Sequence, residues 1–289
     1  MTFRAMTPRS ILLAMLQIAA AALPVLIFAC SAIPDDREES KSRDSQELRE
    51  TARLIQAELP LWKIATGERG TQLQLNSNPV LRWTNPATGR IHGEIYVWTA
   101  DGRPEAVMSL YKGWEPAWGF CGELQSLSLT KIAAQRDGAA VWKSDKPGIT
   151  LHDVPDAPLV AETAARRMQQ MRAMAHDFSA VMIDYRRNRD GERQSLRLLT
   201  QPMHRYSSPG ADVVDGAIFG FVLGTDAEVL LLLEARGAKD ASRWQYALAR
   251  LNSDDLAASF KEQEVWRVGR AQFKDRAGPY AFMALPETE

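Results

Sequence analysis

The chain has 289 residues, 35 basic and 36 acidic side chains, and a formal net charge of −1. Its basic residues are scattered, so no single-signed field is offered to a phosphate backbone, and nucleic acid is excluded as an expected partner. Two cysteines, Cys30 and Cys121, leave no disulfide framework.

In chain order, Arg4 and Arg9 precede an apolar run from Ile11 to Phe28 that is interrupted by Gln17 and Pro24. A short basic region followed by such a run predicts a secretory signal or a membrane anchor over residues 1–30. The stretch LIFAC, Leu26 to Cys30, resembles a bacterial lipoprotein signal, which implies lipidation at Cys30; Phe28 is bulkier than that pattern has. Lipid anchoring, cleavage by an ordinary signal peptidase, a retained anchor and a buried helix all stay open. Loss of 1–30 moves the net charge from −1 to −3, since two arginines and no acid leave. The expected location is the cell envelope or periplasm, with the membrane met through the N-terminal segment.

Residues 31–44 read as a polar linker. Leu48, Ala52, Ile55 and Leu59 recur at helical spacing until Pro60, which predicts a short amphipathic helix. The period then becomes that of strands. GEIYVWTA and RPEAVMSLYK flank Asp101-Gly102, a hairpin turn pair. A two-residue turn sets Trp98 against Glu105, Tyr96 against Val107 and Ile95 against Met108. LQSLSLTK and GAAVWKS add strands, and the unit spans 45–150 as an antiparallel sheet with one helix.

After the connection KPGITLHDVPDAP, the residues Ala161, Ala164, Met168, Met171, Ala175, Phe178 and Met182 follow at steps of three or four. They predict the longest helix, over 159–184, with a core-facing stripe. SLRLLT, DGAIFGFVLG, AEVLLLLEARG and RWQYALARLN then form a meander, with Phe221 beside Leu230 and Phe219 beside Leu232. Trp244, Tyr246 and Leu248 share one face of their strand, opposite Ala247 and Ala249. EVWRVGRAQF and PYAFMAL supply terminal strands, closing a second unit over 151–289. The expected fold class is therefore α+β: antiparallel sheets packed with one short and one long amphipathic helix, arranged as two helix-plus-meander units.

Motifs for chemistry are sparse. The sequence has no phosphate-binding glycine loop, GxSxG elbow, HExxH helix or paired CxxC. No cofactor is implied. Of the four histidines, His92, His152, His176 and His204, none forms a short ligand pair with another, so no metal site is expected. A cluster of His92, Glu94 and Glu123 requires strands to bring it together. The favoured recognition surface is the aromatic stretch Tyr111, Trp114, Trp118 and Phe120, edged by Glu115 and Glu123, read as a loop that binds a ligand when exposed or plugs a core when not. Cys121, among these rings, reads as a small buried hydrophobe.

Two stretches, LRWTNPATGRIHGEIYVWTADGRPEAV at residues 81–107 and DGAIFGFVLGTDAEVLLLLEAR at 215–236, resemble segments of a group of uncharacterised exported proteins of planctomycete bacteria. The resemblance implies an exported location and a shared fold, and supplies no reaction. The function expected is a noncatalytic envelope-associated binding or scaffolding protein, with a glycan, peptide or lipid of the envelope as ligand. The alternative is a hydrolase using Glu94, Glu115 and Glu123 as acid and base around the stretch 111–123.

Overall fold

The computed structural model describes residues 36–86, 88–115, 117–185, 190–238 and 241–287. The leader, the apolar run Ile11 to Phe28 and Cys30 lie outside them. Among the described residues no helix is long and apolar enough to cross a membrane. Contacts divide the chain into Met1–Ser40 and Lys41–Glu289. Of the first unit only the opening residues of a helix, 36–40, are described.

The first half of the chain runs α1 (Asp36–Glu58), β1 (Trp62–Thr66), β2 (Thr71–Gln72), β3 (Gln74–Leu75), β4 (Leu81–Thr84), β5 (Arg90–Ala100), β6 (Arg103–Glu115), β7 (Gly119–Ser126), β8 (Ile132–Arg136) and β9 (Ala139–Ser144). The second half runs β10 (His152–Asp153), α2 (Ala164–His176), β11 (Phe178–Asp184), β12 (Glu192–Leu198), β13 (His204–Ser208), β14 (Val213–Leu223), β15 (Asp226–Arg236), β16 (Arg243–Arg250), β17 (Asp255–Phe260), β18 (Gln263–Val268) and β19 (Tyr280–Leu285). Every strand pair is antiparallel. A four-stranded sheet has the order β2-β1-β8-β9. A six-stranded sheet has the order β19-β7-β6-β5-β3, with β4 also on β5. A nine-stranded sheet has the order β10-β16-β15-β14-β12-β11-β17-β18, with β13 on β14.

Three apolar cores separate these layers. Leu54 and Ile55 of α1, the four-stranded sheet, and Tyr96, Met108, Leu110 and Phe120 on one face of the six-stranded sheet form the first. The opposite face, with Ile95, Val97, Val107 and Tyr111, packs on Ile218, Leu230, Leu232 and Ala249 of the nine-stranded sheet. That sheet's outer face curls around α2, burying Phe219, Leu231, Trp244 and Tyr246 with Met171, Met174, Phe178 and Phe260. Leu230 to Leu233 are all fully buried because both faces of β15 are covered, which is why that strand is a continuous apolar run. Trp244, Tyr246 and Leu248 share the α2 face, opposite Ala247 and Ala249.

The α+β class expected of the sequence is corrected to a mostly antiparallel β architecture, and the lengths assigned to its helices are reversed. The helix expected over 159–184 begins at Ala164, where the Thr163 side chain accepts a hydrogen bond from the Arg166 backbone N–H at 3.3 Å, and ends at His176. The apolar spacing continues through Phe178 and Met182, but those residues lie on the inward face of β11, an alternating strand between β12 and β17. Pairing on both edges overrides a helical period that the same apolar positions also satisfy. Conversely α1 has 23 residues and includes positions 36–44, read from the sequence as linker.

The β5–β6 hairpin turns at Asp101-Gly102, both at positive φ. The first pairs, Ala100 with Arg103 and Thr99 with Pro104, follow the register the turn predicts. A bulge then shifts the register by one, so Trp98 faces Ala106 and Tyr96 faces Met108. In β14–β15 the turn falls one residue earlier than expected, with Leu223 paired to Asp226. A bulge between Phe221 and Val222 recovers only part of the difference, so Phe221 faces Val229 and Phe219 faces Leu231 instead of Leu230 and Leu232. The chain also crosses between the halves read from sequence: β19 pairs with β7, adding residues 280–285 to the six-stranded sheet.

Candidate functional site

The stretch 111–123 is the end of β6, a short turn and the start of β7. Strand alternation therefore distributes its aromatic residues over two faces. Trp114 points toward α1, its indole N–H donating to Thr51 Oγ1 at 3.1 Å with Lys112 Nζ 4.6 Å from the ring centroid. Phe120 is buried in the first core. Glu115 is exposed and pairs with Arg90 at 2.8 Å. Tyr111 and Glu123 lie on the other face, and Trp118, in the turn, is 44% exposed.

Tyr111, Trp118 and Glu123 meet in a cavity of about 370 Å³. Its other walls come from β19 (Phe282, Ala284), from the turn after β16 (Asn252, Ser253, Asp254), and from the segment after β18 (Arg270, Phe273). Phe273, half exposed, meets Phe282 edge-on with centroids 5.0 Å apart. Behind Tyr111, the Trp83 ring lies 5.4 Å away and donates to Ser109 Oγ at 3.2 Å. That placement requires Gly93 on the intervening strand: a Cβ there would come within 2.4 Å of the Trp83 ring.

The polar wall is built by Arg250. Its guanidinium donates to the backbone carbonyls of Asn252 at 2.8 Å, Gly269 at 2.8 Å and Asp254 at 2.7 Å. The Asp254 N–H in turn donates to Asn252 Oδ1 at 2.6 Å. Asp254 Oδ1 faces Arg270 at 3.8 Å. At the base, Glu123 accepts from the Tyr280 hydroxyl at 2.8 Å. Burial pushes its carboxyl up to about 7, against the opposing effects of Tyr280 and Arg250. Burial also raises the Cys121 thiol to about 11, so it lines the cavity as an unreactive hydrophobe.

Of the residues singled out in sequence, Tyr111, Trp118 and Glu123 come together, while Trp114, Glu115 and Phe120 do not. The acids of the hydrolase reading are dispersed. Glu94 bonds Tyr96 and Arg82 on the α1 face, Glu115 is at the surface, and Glu123 is on the opposite face. The residues missed were Asn252, Asp254, Arg270, Phe273 and Phe282. The turn cluster Asn252-Ser253-Asp254 marks a loop in the sequence, but nothing local places it beside residue 111.

His92 does not join Glu123 either. It is brought to Asp44 and Glu47 of α1, and these three can each offer one ligand atom, all within 4.8 Å of one another. His92 Nε2 is 3.3 Å from Asp44 Oδ1 and 3.6 Å from Glu47 Oε2. Arg90 Nε lies 3.2 Å from the same Glu47 oxygen.

No protein-family model matches the chain, and neither a curated protein nor a solved structure matches it significantly.

Proposed function

We propose that this is a noncatalytic, envelope-associated binding protein whose cleft takes a glycan of one or two sugar units. The observation that carries the reading is the combination in one cavity of about 370 Å³ of the exposed rings Trp118 and Phe273 with Asn252, Asp254 and Arg270. Aromatic faces take the apolar face of a sugar ring, and a few fixed polar groups orient its hydroxyls. A lipid chain would need a lining without the polar row, and an extended peptide would need an open strand edge instead of a bounded cavity. The envelope setting rests on the basic and apolar N-terminal run, Arg4 to Phe28.

The test is calorimetric titration of the full-length chain with soluble cell-wall oligosaccharides, alongside a fatty acid and an envelope peptide. Saturable glycan binding weakened at least tenfold by Trp118→Ala is the expected result; that ring is exposed enough to remove without disturbing the core. Preference for the lipid or the peptide, or no binding at all, would reject the glycan.

A second reading has its own support. Glu123, whose carboxyl burial pushes up to about 7, shares the cavity with Asp254, and two carboxyls in one cleft can divide acid and base roles. Release of reducing ends from the same oligosaccharides, abolished by Glu123→Gln, would replace binding with hydrolysis.

A further inference from the structure

We propose that Asp44, Glu47 and His92 form a binding site for a divalent transition-metal ion of the zinc type, separate from the aromatic cleft and independent of its function. His92 is 3% exposed, and neither ring nitrogen has a hydrogen-bond partner among the described residues. An imidazole buried in that condition is costly unless something else satisfies it. Its Nε2 is aimed between two carboxylates. Glu47, 5% exposed, presents Oε2, which likewise accepts no hydrogen bond.

The spacing admits a metal ion as well as an ion pair. Four ligands at about 2.0–2.1 Å around a tetrahedral ion are separated by roughly 3.3–3.4 Å from one another. The distances from Nε2 to Asp44 Oδ1 and Glu47 Oε2 are 3.3 and 3.6 Å. Neither contact has hydrogen-bond geometry, so a proton on Nε2 would satisfy neither carboxylate, whereas an ion between the three atoms would engage all of them.

The supporting elements are suited to the task. Asp44 and Glu47, three residues apart, share a face of α1, and His92 is carried by β5, so helix and strand fix the set from two sides. One imidazole and two carboxylates suit zinc, cobalt or manganese better than copper(I), which favours sulfur ligands. The ion would offset the two negative charges. Arg90, which shares the Glu47 oxygen, is already held by Glu115 at 2.8 Å. The Asp44 side chain is 55% exposed, giving an entry path and room for water in a fourth position.

The experiment strips the full-length chain in mild detergent with EDTA and titrates it with cobalt(II), read by visible d–d absorption. One equivalent is expected to saturate a band of tetrahedral intensity, and one equivalent of zinc(II) to displace it. Asp44→Asn, at a solvent-facing position, should weaken binding at least tenfold, and His92→Gln should abolish it. Should His92→Gln fail to fold, Asp44→Asn decides alone. Absence of a saturable, zinc-displaceable band, or a band that Asp44→Asn leaves unchanged, overturns the site.

Discussion

Glu123 couples the cleft to pH. Its carboxyl titrates near 7 in the folded protein, because burial disfavours the charged form, against an ordinary value of 4.5. The folded state therefore holds this proton more tightly than the unfolded chain. The associated stability is complete below about pH 4.5, falls as pH rises from there, and is gone above about 7. The effect is on the order of 3 kcal/mol. Denaturant unfolding at pH 5 and pH 8 should show a loss of stability in the native sequence that is much smaller in Glu123→Gln. Equal losses in both would show that Glu123 ionises freely in the fold. Trp118 works differently at the same scale: a residue 44% exposed contributes little to the core, so its removal should be felt in ligand affinity before it is felt in folding.

Among the elements, α1 buries Ile55, with Leu59 just after it, as the apolar spacing predicts, but most of its inward face is polar. The apolar spacing selects Leu48, Ala52, Ile55 and Leu59, yet Leu48 is 43% exposed while Glu47, Thr51 and Glu58 are buried. Each of these polar residues has work on the inside. Glu58 accepts from the Trp62 indole at 2.8 Å and from Arg136 at 2.6 and 2.8 Å, Thr51 accepts from Trp114, and Glu47 faces Arg90 and His92. A hydrophobicity pattern cannot register a stripe held by hydrogen bonds and ion-pair contacts to residues outside the helix. The six- and nine-stranded sheets are joined in the same way. Arg103, at the start of β6, donates to Glu234 of β15 at 3.0 Å, and both are essentially buried; Tyr206 and Arg236 also donate to that carboxylate at 2.7 Å. Glu234→Gln removes the charge that two guanidiniums share and should destabilise by about 3–5 kcal/mol. A loss under 1 kcal/mol in chemical denaturation would mean that water or rearrangement replaces the network.

For the whole molecule, the decisive feature is the return of the C-terminus. Pairing of β19 with β7 covers an edge of the six-stranded sheet, adds Ala281, Met283 and Leu285 to the core beneath α1, and turns Phe282 and Ala284 into the cleft. A chain ending before Tyr280 should therefore lose cooperative folding of the N-terminal sheet, and with it any glycan affinity. Retention of a sharp unfolding transition by that truncated chain would show that β19 is an accessory strand. Much of the strand content was legible: Asp101-Gly102 gave its hairpin, and the extended runs between Asp215 and Asn252 gave a meander. Register was not legible: a bulge in β6 shifts the first hairpin by one residue, and the β14–β15 turn falls one residue earlier than its sequence suggests. Half of the cleft was equally hidden, since Tyr111 and Trp118 stand more than 130 residues from Asn252 and Phe273.

What the amino-acid order alone determined was local: where the chain turns, which runs are extended, and that large aromatic residues cluster between 111 and 120. Alternation along a strand, a helical step and a positive-φ turn depend on near neighbours, so they leave a trace in the sequence. Only the tertiary structure decided which of those rings share a cavity, which carboxyl has its titration pushed up by burial, and which acids approach His92. Those outcomes depend on burial and on contacts between strands remote in the chain, and no short segment carries the information.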